Sequence, residues 1–239
     1  MKLGIMQPYF FPFLGHFALI AHTDKWVVFD VTQYTPKSWM ARNRVLHPNE
    51  GWAYINAPLS NSSISIKTFQ ARVLDIAVTK KSLLGKLSHY RREAPFYTSV
   101  VALVERVFSG LNSDSLVDLN VRGLQEVCNY LGIPFNFSIC SQMDLDFTGV
   151  EEAGDWAPAI SRQLEADIYL NPIGGRDLFD PLKFRAANTD LVFLEFDPFF
   201  YETGTYTPES SLSILDVLMW NSPAEVVRAI DNCSHMVCV

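Results

Sequence analysis

The sequence predicts an α/β fold built on a mainly parallel sheet, and its first 30 residues are the main reason. Lys2–Met6 and Lys25–Asp30 are short apolar runs typical of buried strands, and Leu14–Ala21 between them has the length of a short helix. Strand, helix and strand in this order indicate parallel pairing, because parallel strands need a crossover connection. The chain has 239 residues, of which 49% are hydrophobic, so it can bury a core. We therefore predict a Rossmann-like open sheet with helices on both faces.

The next segment is predicted to contain one helix and two strands. Lys37–Leu46 is rich in basic residues and runs into His47-Pro48, where a helix would end. Trp52–Asn56 and Ala71–Val78 alternate in polarity, which is typical of strands. The polar stretch Ser60–Lys67 between them is predicted to be a loop.

The middle of the chain is predicted to be helical. Apolar residues recur at helical spacing in Lys80–Glu93, Tyr97–Ser109 and Asp114–Leu131, and Pro95 separates the first two helices. Asp114 is a candidate cap for the third helix. We predict a single α/β domain over residues 1–239, with a helical insertion at about 80–132.

The last third returns to alternating strands and helices. The predicted strands are Ile133–Ile139, Asp167–Leu170 and Leu191–Phe196, and the predicted helices are Ala157–Ala166, Ser211–Trp220 and Pro223–Ile230. Asp144–Gly154 and Asn171–Gly175 are predicted loops, and Cys233–Cys238 is predicted to be a frayed tail.

Charge and cysteine content narrow the function classes. The net charge of −7, from 26 acidic and 19 basic residues, argues against nucleic acid or an anionic membrane as partner. No run of 18 apolar residues could span a membrane, and the N-terminus reads as a first strand, not as a signal peptide. The four cysteines are too scattered for a disulfide framework or a paired-cysteine metal site, so we expect a cytoplasmic protein without a metal.

The aromatic residues are unevenly placed. Of the 31 aromatic residues, nine lie between Tyr9 and Trp39 and six between Phe193 and Tyr206. Packing between strands and helices explains most of them. The sharper prediction is that Tyr9, Phe10, Trp39 and Tyr201 form the walls of one crevice.

The loop after the first strand is the first candidate site. Ligands of open parallel sheets bind beyond the carboxyl ends of the strands, and here Gln7 leaves the strand beside Pro8. The following helix offers free N–H groups to an anion, with Gly15 and His16 at its start. The Pro-x-x-Gly-His arrangement resembles the first motif of nucleotidylyl transferases and pantothenate synthetase, although the first histidine of that motif is missing. For His16, a structural role and a phosphate contact remain open.

The second candidate cluster follows the second strand. Asp30 and Gln33 are placed to face the same crevice as Gln7. Arg42 and Arg44, flanking Asn43 on the predicted helix, suit a phosphate or carboxylate because each guanidinium offers a planar fork of donors. A solvated basic helix face is the alternative.

Further candidates lie later in the chain. Gly174 and Gly175 follow a strand, so their backbone N–H groups could meet a ligand, although a plain glycine turn explains them equally well. Asp216 lies among apolar residues, and an arginine of the second cluster is a candidate partner for it. His89 and the two arginines that follow Tyr90 are more simply a helix surface than a site.

The chain resembles the WbqC-like protein family. The resemblance is carried by six segments in the expected order: Ile5–Gly15, Asp24-Lys25, Asp30–Tyr34, Arg42–Arg44, Tyr169–Gly175 and Tyr206–Asp216. The chain departs from the family at His16, where Tyr is common, at Asn171-Pro172, where Ser-Gly is common, and after Tyr201. The resemblance implies a small-molecule biosynthetic enzyme of surface-polysaccharide or specialised-metabolite pathways, and the departures favour a ligand different from that of typical members.

The leading functional hypothesis is an enzyme that transfers an acyl or aminoacyl group to an amine, forming an amide. Gln7, Asp30 and Gln33 would orient the acceptor amine, with Asp30 as general base. Arg42 and Arg44 would bind a phosphate of the donor, which would be a nucleotide or another activated acyl donor such as an acyl-carrier protein. His16 would assist at the helix N-terminus.

Two alternatives stay open at this stage. One is a nucleotidyl-transfer or adenylating enzyme that uses ATP and Mg²⁺. The other is a non-catalytic protein whose aromatic pocket binds a sugar or another metabolite. A small-molecule ligand is common to all three hypotheses.

Overall fold

A computed structural model describes all 239 residues. The strands are β1 Lys2–Met6, β2 Lys25–Val28, β3 Arg42–Leu46, β4 Trp52–Asn56, β5 Leu59–Asn61, β6 Arg72–Val73, β7 Phe137–Ile139, β8 Ile168–Pro172, β9 Asp190–Phe196 and β10 Ser234–Cys238. The α-helices are α1 Leu14–Ala21, α2 Ile76–Leu87, α3 Tyr97–Ser109, α4 Leu116–Leu131, α5 Trp156–Gln163, α6 Pro181–Ala186, α7 Ile214–Trp220 and α8 Pro223–Asn232.

The main sheet has six strands in the order β10-β9-β8-β1-β2-β7. The pairs β9·β8, β8·β1, β1·β2 and β2·β7 are parallel, and only β10 pairs antiparallel with its neighbour. The predicted open, mainly parallel α/β sheet is therefore confirmed. No helix is both long enough and apolar enough to cross a bilayer.

Alternating side chains of the central strands supply two hydrophobic cores on opposite faces of the sheet. On one face, Trp26 and Val28 of β2 pack with residues of α1, α4 and α8 in a cluster of 46 buried residues. On the other face, Val27 packs with residues of α5 and α6 in a cluster of 12. The helices thus cover both faces of the sheet. This is required because successive side chains of a strand point to opposite faces, and here both sets are apolar and buried.

The predicted helical insertion corresponds to α2, α3 and α4. Leu83, Val104 and Leu124 from these helices belong to the same core cluster as Phe17 of α1. Helix α3 has the bounds predicted from the sequence. Helix α4 begins later than predicted, because Ser115 and not Asp114 caps it. We retain one domain over residues 1–239 as a proposal, which this shared core supports.

The predicted helix over Lys37–Leu46 is wrong. Arg42–Leu46 is strand β3 and pairs antiparallel with β4 over its whole length. Its half-buried arginines alternate with the buried Asn43 and Val45, so the repeat is two residues and not 3.6. Gly51, with a φ of 69°, lies in the turn between the two strands, where a left-handed backbone favours glycine.

Two other segments also differ from their predictions. The strand predicted at Ala71–Val78 is reduced to β6, because Asp75 accepts a hydrogen bond from the Val78 N–H and starts helix α2. The tail predicted to be frayed instead forms β10, which pairs with β9 from Ser234 to Cys238.

Candidate functional site

An open crevice of about 390 Å³ lies at the carboxyl ends of β1, β2 and β8. From β1 the chain crosses through α1 to β2 on one side, and from β8 it crosses through α6 to β9 on the other side. The loops that follow β1 and β8 therefore diverge, and ligands of open α/β sheets bind at such a switch point. We call this cavity the switch-point crevice.

Aromatic rings form much of the crevice wall. Phe29 packs edge-on against Trp156 with ring centroids 5.4 Å apart, and Phe179 packs edge-on against Tyr169 at 5.6 Å. Tyr9 contributes a further ring. Trp156 is the first residue of α5, so this helix brings its N-terminal end to the crevice.

The polar groups of the crevice are all uncharged. No acidic, basic, histidine or cysteine residue lines it. The Gln7 carboxamide and the Tyr9 hydroxyl make no hydrogen bond to another protein group, and the buried Oγ1 of Thr32 also lacks a partner. Burial raises the pKa of Tyr9, which keeps its hydroxyl protonated. Gln7 and Tyr9 thus offer polar groups to a ligand, whereas the Thr32 Oγ1 lies beneath the surface of the crevice.

The Asn171 side chain lines the crevice, but it already forms hydrogen bonds to other protein groups. Its Oδ1 accepts from the Tyr169 hydroxyl at 2.9 Å, and its Nδ2 donates to the Pro172 carbonyl at 2.9 Å. A Cβ on Gly175 would lie 2.3 Å from this Nδ2, so the glycine makes room for the Asn171 side chain. Gly174 and Gly175 belong to a 3-10 helix, Ile173–Leu178, and do not line the crevice.

Asp30 lies next to the crevice but does not line it. Its carboxylate accepts from the N–H and the Oγ of Ser141, at 2.8 and 2.6 Å, and only 1% of the residue is exposed. Burial raises the pKa of Asp30, and the hydrogen bonds from Ser141 oppose that shift. A role as general base would require Asp30 to give up these bonds, so the geometry favours positioning. Gln33 does line the crevice, and its Nε2 donates to the Ile64 carbonyl.

His16 is buried inside α1 and lies behind Tyr9. Its ring centroid is 5.6 Å from that of Tyr9 and 5.2 Å from that of Trp26. Burial lowers the pKa of His16 to about 3, so the imidazole is neutral near pH 7. Gly15 allows a close approach by the Phe13 ring, which a Cβ would meet at 2.4 Å.

A second cavity, of about 260 Å³, adjoins the crevice. Tyr9 lines both, and Trp39, Asn43 and Arg44 are among the other residues of the second cavity. The Arg44 guanidinium lies between two indoles, 5.5 Å from the Trp39 ring and 5.1 Å from the Trp52 ring. No carboxylate pairs with it, and its one hydrogen bond, to the Ser211 carbonyl, is 3.4 Å long. We call this the Arg44 cavity.

Three buried side chains hold the loop between β1 and α1. Asn43 donates to the carbonyls of Phe10 and Phe11 at 3.1 and 2.8 Å, and Ser213 donates to Phe11 at 2.7 Å. Asn120 of α4 donates to Pro8 at 2.7 Å. Phe11 has a φ of 41°, a conformation that costs free energy and persists only where surroundings impose it. Asn43 therefore fixes the loop that carries Gln7 and Tyr9.

Tyr201 lines a third, smaller cavity of about 80 Å³, which shares Phe13 and Ser211 with the Arg44 cavity. Its hydroxyl donates to the buried Asp216 at 2.7 Å. Asp216 also accepts from Tyr90 and from the Leu46 N–H, so the predicted arginine partner is wrong. Burial raises the pKa of Asp216.

Seven of the twelve predicted site residues line one or more of three adjoining cavities, and five line none of them. Gln7, Tyr9 and Gln33 line the switch-point crevice, and Tyr9, Trp39, Asn43 and Arg44 line the Arg44 cavity. Outside both lie Asp30, His16, Arg42, Gly174, Gly175 and Tyr201. Arg42 lies 4.4 Å above the Tyr54 ring, and Phe10 is buried and forms no wall.

Sequence reasoning missed Thr32, Phe29, Trp156 and Phe179. Thr32 had a usable signal, because it follows the second strand as directly as Gln33 does. Trp156 and Phe179 had none, since their place depends on how α5 and the loop after β8 pack over the sheet.

The fold and the cavities define an open α/β protein with an open crevice at its switch point. Residues 7–228 match the WbqC-like protein family, and the chain belongs to that family. It is 24% identical over 233 residues to the uncharacterized protein Rv1507c of Mycobacterium tuberculosis, covering 97% of this chain and 98% of that protein. No solved structure matches the chain.

Proposed function

We propose that this protein is a transferase of small-molecule biosynthesis that forms an amide by passing an acyl or aminoacyl group to the amine of a polar acceptor, such as an amino sugar. The observation that carries the proposal is the pair of unpartnered polar groups on Gln7 and Tyr9 within uncharged aromatic walls. Such a site suits an uncharged ligand with both apolar faces and hydrogen-bonding groups. The resemblance to a family associated with polysaccharide genes supports a biosynthetic setting.

The proposed reaction needs positioning more than acid–base catalysis. The neutral amine attacks the acyl carbon of an activated donor. A C–N bond forms, the bond from the acyl carbon to the leaving sulfur or oxygen breaks, and the amine proton passes to the leaving group or to solvent. Gln7 and Tyr9 orient the acceptor, which lowers the barrier by holding the two reactants in register. Asp30 acts in this proposal by fixing the ends of β2 and β7 through Ser141.

The Arg44 cavity supplies the donor side of the proposal. A guanidinium that lies between two rings and pairs with no carboxylate keeps its outer N–H groups for an anion. A phosphate or carboxylate of the donor would bind there, beside Tyr9. The acyl group would then pass Tyr9 into the switch-point crevice.

The test is amide formation from a panel of amino sugars, free and as nucleotide diphosphate conjugates, with acetyl coenzyme A as donor and mass spectrometry as readout. We expect a product heavier by one acetyl group, with kcat/KM reduced at least about tenfold in Gln7→Ala and Tyr9→Phe, because each removes a group that orients the acceptor. Gln125→Ala, the same kind of change at a half-buried position of α4 that lines neither cavity, is the control and should retain activity. Full activity in the Gln7 and Tyr9 variants would refute the proposal.

A second candidate is a non-catalytic sugar-binding protein, which the absence of acidic and basic residues from the crevice wall favours. It predicts that Gln7→Ala weakens binding of an amino sugar in calorimetry while no panel member is ever converted. Conversion by the wild-type protein excludes this candidate.

A further inference from the structure

An exposed basic surface lies on α2 and on the 3-10 helix that follows it, Ser88–Arg92. It consists of Lys80, Lys81, Lys86, Arg91 and Arg92, and we call it the basic surface. Residues 76–92 contain no acidic residue, and none of the five cations forms a salt bridge, although the chain carries a net charge of −7. Five unpaired cations in 13 residues are a large local excess of positive charge on an acidic protein.

The acidic residues at both ends of this segment are already engaged. Asp75 caps α2 by accepting from the Val78 N–H at 2.9 Å. Glu93 accepts from the N–H and the hydroxyl of Thr205, both at 2.9 Å. Neither carboxylate pairs with the basic surface, so the charge of the surface is available to a partner.

The basic surface is joined to the hairpin that carries Arg44. Lys86 donates to the Tyr54 carbonyl and, at 3.2 Å, to Asn56 Oδ1, both on β4. Asn56 is the register partner of Arg42 on β3, and Arg44 follows two residues later on the same face of the hairpin. The cations thus continue from α2 across the hairpin to the Arg44 cavity.

We propose that the basic surface docks a small acidic carrier protein that presents its acyl group as a thioester on a phosphate-linked arm. This inference rests on the proposed function and names the donor. Acidic helices of the carrier would pair with the basic surface, the phosphate of the arm would bind Arg44, and the thioester would enter past Tyr9. The carrier thioester C–S bond breaks as the acceptor amine forms its C–N bond, and the carrier thiol is restored with the proton that the amine releases.

Charge complementarity favours a carrier protein over a longer polyanion. The basic surface and the hairpin form a limited patch of positive charge, while the chain as a whole is acidic and would repel a nucleic acid or an anionic bilayer beyond that patch. A small domain with one acidic helix matches a patch of this extent.

The test measures binding of the holo form of an acyl carrier protein by fluorescence polarisation at low and high salt. Lys81→Glu/Arg91→Glu/Arg92→Glu changes three exposed cations of the basic surface and should weaken binding at least about tenfold. Arg162→Glu/Arg185→Glu/Arg228→Glu makes the same net-charge change at exposed arginines elsewhere and should bind as the wild type does. Equal loss in both variants, no binding by the wild type, or preferential binding of duplex DNA or anionic vesicles would overturn the proposal.

A second readout separates this inference from the proposed function. Both triple variants should retain transfer from an acyl N-acetylcysteamine thioester, a small donor without phosphate, while only the basic-surface variant loses transfer from the carrier. Transfer from the small donor without any carrier binding would refute the docking and leave the proposed function standing. Carrier binding without transfer from any donor would refute the proposed function alone.

Discussion

At the scale of single residues, burial decides more about His16 than its place in a motif does. The histidine begins a helix after a proline-rich loop, which suggested a contact to an anion. In the structure only 3% of the residue is exposed, its Nε2 has no partner, and aromatic rings surround it. A neutral imidazole in this place supports Tyr9 and binds no phosphate through charge.

The buried imidazole predicts an acid-sensitive fold. Its pKa is about 3 in the folded protein and near 6.5 in the unfolded chain, so the unfolded state binds the proton first. Keeping His16 neutral contributes fully to the unfolding free energy above pH 6.5, and this contribution is lost as the pH falls towards 3. Between pH 8 and pH 5, the unfolding free energy of the wild type should therefore fall by about 2 kcal/mol more than that of His16→Leu.

Urea unfolding at both pH values measures this difference. His235→Leu is the control, since that histidine is exposed. Its removal should not reduce the fall in unfolding free energy between pH 8 and pH 5 as His16→Leu does. Parallel pH dependence in His16→Leu and the wild type would show that the imidazole is not buried neutral.

The predicted site residues that line the switch-point crevice follow directly from strand ends. Gln7 and Gln33 come just after β1 and β2, and parallel strands bring their carboxyl ends to one edge of the sheet. Asp30 also follows β2, but its carboxylate is directed to Ser141, 111 residues away. A long-range partner of this kind cannot be inferred from local pattern.

At the scale of elements, the loop between β1 and α1 depends on side chains from distant parts of the chain. Asn120 donates to the carbonyls of Pro8 and Met40, at 2.7 and 2.8 Å, and 1% of it is exposed. Asn120→Ala leaves both carbonyls buried without these donors, so the unfolding free energy should fall by about 2–4 kcal/mol. The displaced loop should also weaken acceptor binding in the switch-point crevice.

Chemical denaturation and calorimetry with an amino sugar test these two effects. Asn129→Ala makes the same change at an exposed position of the same helix and should shift stability by less than about 0.5 kcal/mol. Unchanged stability in Asn120→Ala would mean that the loop does not need this support.

The β3–β4 hairpin shows why one element was mispredicted. Its basic composition suggested a solvated helix, whereas its two-residue burial repeat belongs to a strand. The repeat is short, and both guanidiniums are partly covered by aromatic rings from β4 and the preceding turn. Those rings reach the two arginines only after the hairpin forms, so the sequence alone favoured a helical repeat over the two-residue repeat of a strand.

At the scale of the whole molecule, the aromatic excess marks several cavities instead of one crevice. The sequence predicted that Tyr9, Phe10, Trp39 and Tyr201 would form the walls of one crevice. In the structure Tyr9 and Trp39 share the Arg44 cavity, Tyr201 lines the smaller cavity beside it, and Phe10 is buried. The parallel sheet was predictable because each strand–helix–strand unit is local. The division of the site was not, because it depends on how the hairpin and α5 pack against the sheet.

That division predicts separate effects on the two substrates. The switch-point crevice is uncharged and the Arg44 cavity is cationic, so each should hold a different reactant. Gln7→Ala should raise KM for the acceptor amine about tenfold and leave KM for an acyl-coenzyme A donor within about twofold of the wild-type value.

Arg44→Gln should raise KM for the donor and leave KM for the acceptor nearly unchanged. Its effect should shrink at high salt, because salt weakens the ionic contact that this substitution removes. Steady-state kinetics with each substrate varied in turn measures both, and the double variant should show the two effects multiplied, since the sites act on different ligands. If both substitutions raised KM for the same substrate, a single ligand would span the two cavities.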